Sequence, residues 1–538
     1  MIFRNNNFYK LCVIITLCIG FLARLIGLGD IPGNGALNQD EAYGGYEAWS
    51  MLNYGHDSRG YPNFPVYLKT WGAGMSLLPN VSMMPFIKLL DLTPLAIRLP
   101  QAILGCISLV VFYLLVSRVR GKDVGLVALF LLSIVPWHVM MSRWGLDCNF
   151  FPGFLLISIY FLVKSTERKI YLYLSMIFFG LTFYTYAAPW VVLPFLITHL
   201  YIYIMRKNQL FKKKIFGLHT FLCIFILLIF AIPIICLYLL NINLIHNISL
   251  PFFSVPIISM RYNDVNFSFY KLLIRLKAIY DLIIINQSDS LFQNSPSYKI
   301  GIYYKFSTPF FIIGIFYEFI KQFNFSKNFK IQKLIFPYSK IFLIWFFYAF
   351  ILSLLIDVNI GRINIIHLTS VFFIAQGIVV FSMYFKRLIS IKFSISILVI
   401  IYIYNFFNFM QNYFTVYNKN FYDAFNGDLK QVVEYLKNSG SVGKIIHISN
   451  VSYPNLLFYL KYPTDKYIKS ANFVDDKSTV QHLLKFDNFD LTDFSYSKYN
   501  NNDIYITVVD DKKQVSYIYE NAKNVEKFGK FIIGRGEI

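Results

Sequence analysis

Two adjacent carboxylates, Asp40 and Glu41, follow directly on the first long apolar segment of the chain, in LNQDEAYGGYEAWS (residues 37–50). A partly desolvated carboxylate is a good general base, so Asp40, with Glu41 beside it, could take a proton from an attacking hydroxyl group. Asp40 could equally be the N-cap of a helix that starts at Glu41, and both roles are compatible with one side chain. The glycines Gly44 and Gly45 disfavour a purely structural helix and could let a ligand approach the backbone.

Cations and a second acid recur in segments that follow other apolar stretches. Lys69 lies among aromatic residues, Arg143 and Asp147 lie in SRWGLDCNFFP, and Arg362 lies in DVNIGRIN. Guanidinium groups bind phosphate through two parallel hydrogen bonds, so these cations could hold a phosphorylated substrate. Each arginine alone could instead anchor a membrane helix at the level of the lipid headgroups. Asp147 has less structural reason to lie in so short a turn.

Metal and disulfide chemistry receive weaker support from the sequence. Asp40 and Asp147 could bind a divalent ion such as Mg²⁺ or Mn²⁺, but two acids are few ligands for such an ion. Five of the six cysteines lie in apolar stretches, the exception being Cys148, and none has CxxC spacing. The sequence therefore predicts no disulfide framework and requires no cofactor.

Long apolar helices must position these residues. The chain has 538 residues, 56% of them hydrophobic, and its apolar runs approach the roughly 20 residues that cross a bilayer core. We predict a polytopic α-helical membrane protein with about eleven transmembrane helices by the hydropathy criterion. The predicted spans lie near 9–28, 93–116, 124–141, 150–163, 170–186, 190–205, 216–240, 306–320, 341–356, 365–384 and 393–411.

The distribution of basic residues predicts the orientation of these spans. Lysine and arginine are concentrated in alternate loops, whereas the loop at residues 29–92 has only three of them against six acids. The positive-inside rule then puts the N-terminus in the cytoplasm and Asp40 outside it. The net charge of +21 is thus mostly a topology signal, and we predict no nucleic-acid partner.

Two domains follow from the change in composition near residue 411. Residues 1–411 are predicted to form the membrane domain, with long outer loops at 29–92 and 241–307. Residues 412–538 alternate helix and strand patterns, such as GDLKQVVEYLKNSG and DIYITVV. We therefore predict a small extracytoplasmic α/β domain at the C-terminus.

Several segments together resemble the membrane glycosyltransferases of the GT-C fold. An acidic pair after the first span, the stretch NFPVYLKTWGAG, and AIRLPQAILG at the start of the second span are similar to the bacterial relatives of protein O-mannosyltransferases and of the lipid A aminoarabinose transferase. SRWGLDCNFFPGFLL and GRINIIHLTSVFFIAQGI resemble later segments of the same proteins. The resemblance covers approximately residues 10–410.

The resemblance implies a plasma-membrane enzyme that transfers a hexosyl or pentosyl group from a polyprenyl-phosphate donor to a cell-envelope glycan, lipid or protein. By position, Asp40 matches the catalytic acid of the first loop, Glu41 its neighbour, and Asp147 a second acid. Lys69 and Arg143 then become candidates for the donor phosphate, followed by Arg362. The aminoarabinose branch has Lys-Pro in its first loop, whereas this chain has GYPNFP, which adds the upstream Arg59 as a candidate.

Two other functions are compatible with a polytopic chain. A flippase or transporter of lipid-linked sugars or polysaccharide would need polar residues at mid-membrane depth or broken helices, whereas here the spans have almost no central charge. A scaffold that presents the C-terminal domain would leave the acids and arginines of the outer side unexplained. We therefore favour the enzyme.

Overall fold

The structure of the protein is a computed structural model. It describes residues 6–208, 210, 215, 217–245, 252–259, 268–287, 289, 300–323, 338–385, 390–438, 443–474 and 478–536.

The described chain is mostly helical. The helices, in chain order, are α1 Asn6–Leu25, α2 Gln39–Tyr54, α3 Leu77–Leu90, α4 Pro94–Arg120, α5 Lys122–Ile134, α6 Pro136–Met141, α7 Asp147–Lys164, α8 Ile170–Thr182, α9 Leu193–Met205, α10 Leu218–Asn241, α11 Phe269–Ile279, α12 Thr308–Phe323, α13 Ile341–Leu355, α14 His367–Tyr384, α15 Ile391–Asn412, α16 Asn418–Ala424, α17 Leu429–Asn438, α18 Tyr453–Leu460, α19 Thr464–Ser470 and α20 Lys512–Asn521.

Eleven strands complete the regular structure, most of them in the C-terminal part of the chain. They are β1 Phe64–Pro65, β2 Tyr67–Leu68, β3 Met75–Ser76, β4 Phe253–Ser254, β5 Ile446–Ile448, β6 Asn472–Phe473, β7 Leu483–Phe486, β8 Phe489–Asp490, β9 Ile504–Val508, β10 Asn524–Phe528 and β11 Phe531–Arg535.

Each of the eleven predicted spans coincides with helix in the structure. Among the described residues, six helices are long and apolar enough to cross a bilayer: Asn6–Leu25, Pro94–Arg120, Asp147–Lys164, Leu218–Asn241, Asn364–Tyr384 and Phe393–Ala424. Others are shorter. A helix of 13 residues, such as α8, rises only about 20 Å against a core of about 30 Å. The fold prediction of a polytopic helical membrane protein is confirmed.

The chain divides into two compact units. The first unit consists of Met1–Leu28, Pro100–Ile232 and Tyr262–Thr415, and the second of Gly29–Leu99, Pro233–Arg261 and Val416–Ile538. The first unit contains most of the apolar helices. The second combines α2 and α3 with the C-terminal helices and strands.

A seven-stranded mixed sheet forms the C-terminal part of the second unit. Its strand order is β10-β11-β9-β5-β8-β7-β6. The central strand β5 is parallel to both of its neighbours, β8 and β9, and the remaining pairs are antiparallel. The α/β character predicted for the C-terminus is confirmed.

Helix α2 shares a hydrophobic core with this sheet. Its side chains Tyr43 and Tyr46 are fully buried in one cluster with Ile446, Ile506 and residues of α17 and α18. The hydroxyl of Tyr46 donates to the carbonyl oxygen of Tyr462 at 2.7 Å. Burial of two large aromatic rings fixes α2 strongly, because apolar surface removed from water contributes about 25 cal/mol per Å². The helix that carries the acidic pair is therefore held by the C-terminal sheet.

Candidate active site

Asn38 caps the helix that carries the acidic pair. Its side-chain oxygen accepts a hydrogen bond from the backbone N–H of Asp40 at 2.8 Å. The Glu41 carboxylate in turn accepts from the backbone N–H of Asn38 at 3.3 Å, which completes a capping box. The prediction that Asp40 caps the helix is therefore wrong, because the helix begins earlier and Asn38 supplies the cap.

Glu41 is fully buried and paired with Arg98. The guanidinium donates from Nε to Oε1 at 3.0 Å and from Nη2 to Oε2 at 3.1 Å. It also donates to the carbonyl oxygens of Pro32 and Ala36. Both carboxylate oxygens of Glu41 thus hold the turn that precedes α2, and this arrangement fixes the position of the next carboxylate.

Asp40 is half-buried and its carboxylate contacts a tryptophan. Its Oδ1 accepts a hydrogen bond from the indole Nε1 of Trp71 at 2.8 Å. Asp40 lies in the first turn of α2, close to the partial positive charge of the helix N-terminus. The side chain is thus oriented and partly accessible, which a general base requires.

Trp71 has an unusual backbone conformation. Its φ is 54°, and it is followed by Gly72 and Gly74 with φ of 100° and 106°. A bulky residue in the left-handed region costs of order 1–3 kcal/mol, and such strain is concentrated at functional sites. The Trp71 carbonyl accepts from the backbone N–H of Gln481 at 2.7 Å, and its ring packs edge-on against Tyr453. These contacts aim the indole at Asp40.

A cavity of about 790 Å³ opens beside Asp40 and Trp71. Its volume lies within the range of about 300–1,000 Å³ typical of small-molecule sites. Most of its lining comes from the C-terminal part of the second unit. The lining residues are Gln39, Asp40, Trp71, Ala424, Phe425, Asn426, Leu429, Asn450, Val451, Ser452, Tyr453, Asn455, Val480, His482, Leu483, Leu484 and Leu491.

A second acidic group of the same unit is buried instead. Glu47 accepts from the backbone N–H of Ser58 at 2.8 Å and from the Ser58 hydroxyl. Asp57 accepts from the backbone N–H groups of Arg59 and Tyr61 at 2.9 and 2.8 Å, which shapes the turn at 57–61. Burial raises the pKa of both Glu47 and Asp57, and the proximity of Asp57 adds to the effect on Glu47. Glu47, Asp57, Ser58 and Arg59 are called the buried acid cluster below.

Arg59 and Lys69, two predicted phosphate-binding residues, lie in the second unit. The Arg59 guanidinium donates to the Gln481 side chain at 2.9 Å and stacks 3.8 Å above the ring of Phe473. Arg59 is therefore tied into the buried acid cluster and the C-terminal sheet. Lys69, at the end of β2, is half-buried and keeps part of its side chain accessible.

Arg143, Asp147 and Arg362 belong to the first unit. Arg143 is fully buried, donates to the carbonyl oxygens of Ala23 and Ile26 at 3.1 and 2.8 Å, and lies close to aromatic rings. Arg362 is half-buried, and so is Asp147, which begins α7 and accepts from the next backbone N–H at 2.7 Å. Arg143 thus ties helix α1 to the start of the turn that carries Asp147.

No group of three or more His, Cys, Asp or Glu side chains is arranged as metal ligands in the part of the chain that the structure describes. Asp40 and Asp147 belong to different units. The Mg²⁺ or Mn²⁺ site that they could form stays a prediction.

Gly44 and Gly45 allow α2 to pack closely. A Cβ atom on Gly44 would collide with the side chain of Asn80, and one on Gly45 would lie 2.8 Å from Ile97 and 2.9 Å from Phe458. The two glycines are thus required by neighbouring side chains of α3, α4 and α18. Close helix packing explains them without a ligand.

Trp71 and the cavity residues beyond position 424 were not predicted as site residues. One signal for Trp71 was available, since TWGAG combines a large aromatic residue with two glycines, a pattern of unusual backbone conformation. The C-terminal residues gave no such signal, because their approach to Asp40 depends on contacts across almost 400 residues of sequence.

Residues 81–236 match the family described as dolichyl-phosphate-mannose-protein mannosyltransferase. The chain is also similar to "Putative mannosyltransferase YkcB" of Bacillus subtilis (strain 168), with 29% identity over 132 residues. That alignment covers 24% of this chain and only 18% of the relative.

Solved structures resemble the chain over nearly its whole length. The apo structure of ArnT from Cupriavidus metallidurans superposes with a TM-score of 0.58 and 12% sequence identity. The alignment covers 98% of this chain and 97% of the ArnT chain. The structure of the same ArnT bound to undecaprenyl phosphate gives a TM-score of 0.57 at 12% identity. That alignment covers 99% of this chain and 98% of the ArnT chain. The fold is that of the GT-C membrane glycosyltransferases, and the resemblance predicted from the sequence is confirmed.

Proposed function

We propose that this protein is a glycosyltransferase of the plasma membrane that uses a polyprenyl-phosphate sugar. It would transfer a hexosyl or pentosyl group to an acceptor outside the cytoplasm, either a cell-envelope glycan, a lipid or a protein. The family match at residues 81–236 supports the reaction class, and the ArnT structure with undecaprenyl phosphate supports the type of donor.

The observation that carries this proposal is the carboxylate of Asp40 in the wall of a cavity of about 790 Å³. Its Oδ1 is oriented by Trp71, and its backbone by Asn38. Orientation of a base before the substrate binds removes much of the entropic cost of reaching the transition state. We assign Asp40 as the base and Glu41 as a positioning residue, since Arg98 occupies both oxygens of Glu41.

The reaction would be a single displacement. The acceptor hydroxyl oxygen forms a bond to the anomeric carbon as the bond from that carbon to the phosphate oxygen breaks. The hydroxyl proton passes to Asp40, and the polyprenyl phosphate leaves with the electron pair. A cation would stabilise the leaving phosphate. Lys69 and Arg362 are our candidates, because they keep accessible side-chain surface, unlike the fully buried Arg143.

The orientation follows from the charge of the loops. We place the N-terminus in the cytoplasm, and Asp40, Asp147 and the C-terminal domain outside it. Polyprenyl phosphate in the outer leaflet would then reach Asp40 without crossing the membrane. Asp147 is assigned to the same outer side as a second acid of the reaction.

The test is transfer of radiolabelled sugar in proteoliposomes that contain the purified full chain. A panel of undecaprenyl-phosphate sugars serves as donors and cell-envelope fractions as acceptors, with empty vesicles as the control. We expect label in an envelope fraction, and NMR of the product should show an anomeric configuration opposite to that of the donor. Movement of the intact donor across the bilayer without transfer would support a flippase instead, and retained configuration would contradict single displacement.

A further inference from the structure

The cavity beside Asp40 has a neutral polar lining. Among the described residues that line it, Asp40 is the only Asp, Glu, Lys or Arg. The other polar groups are amides, hydroxyls, an imidazole and an indole, contributed for example by Asn426, Asn450, Ser452 and His482. Amide and hydroxyl groups donate and accept hydrogen bonds without carrying a charge, and the indole N–H donates.

This chemistry selects against an anionic ligand. A phosphate or carboxylate bound here would meet the Asp40 carboxylate with no described cation in the lining to balance it. Sites for anions commonly use arginine or lysine side chains, and the described lining has neither. A polyhydroxylated uncharged molecule fits the lining, because its hydroxyl groups both donate and accept.

Two buried polar atoms at the cavity lack partners in the described part of the chain. They are the hydroxyl oxygen of Ser452 and the side-chain oxygen of Asn455, whose NH₂ group already donates to the carbonyl of Leu37 at 2.8 Å. Asn455 is only 3% exposed. Unpartnered buried atoms are uncommon in folded proteins and point to a missing ligand or water. Both oxygens are enclosed, so a ligand hydroxyl would reach them only after the side chain turns toward the cavity.

The aromatic side of the cavity complements this polar side. Trp71 is half-buried and is held edge-on to Tyr453 at 5.1 Å between ring centroids, and to Tyr43 at 5.6 Å. The ring is thus immobilised while part of it remains accessible. A sugar ring has a C–H face that packs against an aromatic ring and a rim of hydroxyl groups for the polar residues.

We propose that this cavity binds an uncharged saccharide as the acceptor, with the C-terminal α/β domain supplying most of the contacts. This inference rests on the proposed function, since the acceptor hydroxyl must reach Asp40. It assigns the acceptor to neutral glycans or glycoconjugates rather than to phosphorylated or acidic ones. The donor phosphate would then bind outside this cavity.

Binding to the full chain in nanodiscs tests the proposal by saturation-transfer NMR. The probes are the methyl glycosides of mannose, galactose and glucose, compared with methyl glucuronide and mannose 6-phosphate. We expect binding of at least one neutral glycoside and binding of both anions at least about tenfold weaker, the cost of burying an uncompensated charge. Equal or tighter binding of the anions, or no binding of any neutral probe, would overturn the proposal.

Variants locate the binding site. Val480→Trp should fill part of the cavity and His482→Ala should remove a polar contact, so both should weaken neutral-glycoside binding. Lys485→Ala, an exposed position on β7 that does not line the cavity, is the matched control and should bind as the unaltered chain does. Unchanged binding in both cavity variants would contradict this location.

A third arm distinguishes the acceptor from the sugar of the donor. If the cavity holds the acceptor, glycoside binding persists when undecaprenyl-phosphate sugar is saturating; if it holds the donor sugar, binding is lost and the proposal fails. The proposed function is judged separately by sugar transfer. Binding of a neutral glycoside without sugar transfer would reject the proposed enzyme and retain the saccharide site. Sugar transfer without binding of any neutral glycoside would retain the enzyme and reject the saccharide site.

Discussion

Two of the acidic side chains of helix α2, Asp40 and Glu47, have opposite surroundings. They are seven residues apart and therefore lie on nearly the same face of the helix. Asp40 is half-buried at the wall of a cavity, where its carboxylate accepts a hydrogen bond from the indole of Trp71. Glu47 is fully buried, and both of its oxygens accept from Ser58.

The difference separates a reactive carboxylate from a structural one. A carboxylate whose oxygens are both occupied by the protein cannot reach a substrate proton without breaking those bonds. Glu47 organises the turn at 57–61 through Ser58, and Asp57 completes that turn. Asp40 retains accessible surface beside a cavity. The number of acidic residues in the loop therefore says less about chemistry than the contacts each one makes.

The largest effect on stability is expected from Arg98→Ala. Arg98 is the buried partner of Glu41, and its removal would leave that carboxylate buried without a counterion. Breaking such a pair costs about 3–5 kcal/mol. We expect a large fall in the thermal midpoint of the purified chain in detergent, measured by tryptophan fluorescence.

The double variant Arg98→Met with Glu41→Gln sharpens this result. It removes both charges, so it should recover much of the lost stability relative to Arg98→Ala. If Arg98→Ala melts at the same temperature as the unaltered chain, the positioning role of the Glu41–Arg98 pair is wrong.

Two cations of the second unit, Lys69 and Arg59, offer a second comparison. Lys69→Met should raise the KM for the donor about tenfold to a hundredfold, the value of one charge-assisted hydrogen bond to a phosphate. Arg59→Lys should instead lower the thermal midpoint, because it removes the contact with Gln481 and the stacking on Phe473. Steady-state kinetics at varied donor concentration measure the KM, and thermal melts measure the stability of each variant. If Lys69→Met leaves the KM for the donor unchanged, Lys69 does not bind the donor phosphate and Arg362 remains the candidate.

The most gradual expected effect is a pH dependence that originates in the buried acid cluster. Burial raises the pKa of Glu47 from 4.5 to about 8. The folded state therefore binds more protons than the unfolded state between these values, and the stability contributed is complete below pH 4.5 and is lost as the pH rises through 8. The slope for one group is at most about 1.4 kcal/mol per pH unit.

Thermal melts between pH 6 and pH 9 measure this slope. Glu47→Gln should flatten it, because the amide cannot ionise, whereas Glu434→Gln, at an exposed position of α17, should leave it unchanged. An identical slope in Glu47→Gln and the unaltered chain would show that Glu47 does not titrate in this range.

The periodicity of the apolar residues and the hydropathy of the chain were sufficient to predict much of the fold. The apolar residues Leu429, Val432, Val433 and Leu436 follow helical spacing, and they form the buried face of α17. The predicted span at 124–141 shows the limit of the method. Pro136 lacks the N–H group that would continue the helix, so this span is divided into α5 and α6.

Local pattern was less informative about the candidate site. The acidic pair was visible, and Asn38 with Glu41 three residues later is a capping-box motif that also could have been recognised. Arg98 as the partner of Glu41 depends on tertiary contacts that no short motif encodes. The cavity is formed by residues of the first loop and by residues from position 424 onward. Contacts across such separations arise from the packing of Tyr43 and Tyr46 on the C-terminal sheet, and composition does not reveal them.

The central claim is that Asp40 takes the proton from the acceptor hydroxyl, and the most direct measurement is the transfer rate of Asp40→Asn in proteoliposomes. Asp30→Asn, an exposed acid of the same unit, is the matched control. We predict that Asp40→Asn lowers kcat by about 10²–10⁴-fold, the usual contribution of a general base, with an unchanged thermal midpoint and an unchanged KM for the donor. Transfer by Asp40→Asn at the rate of the unaltered chain would contradict the assignment.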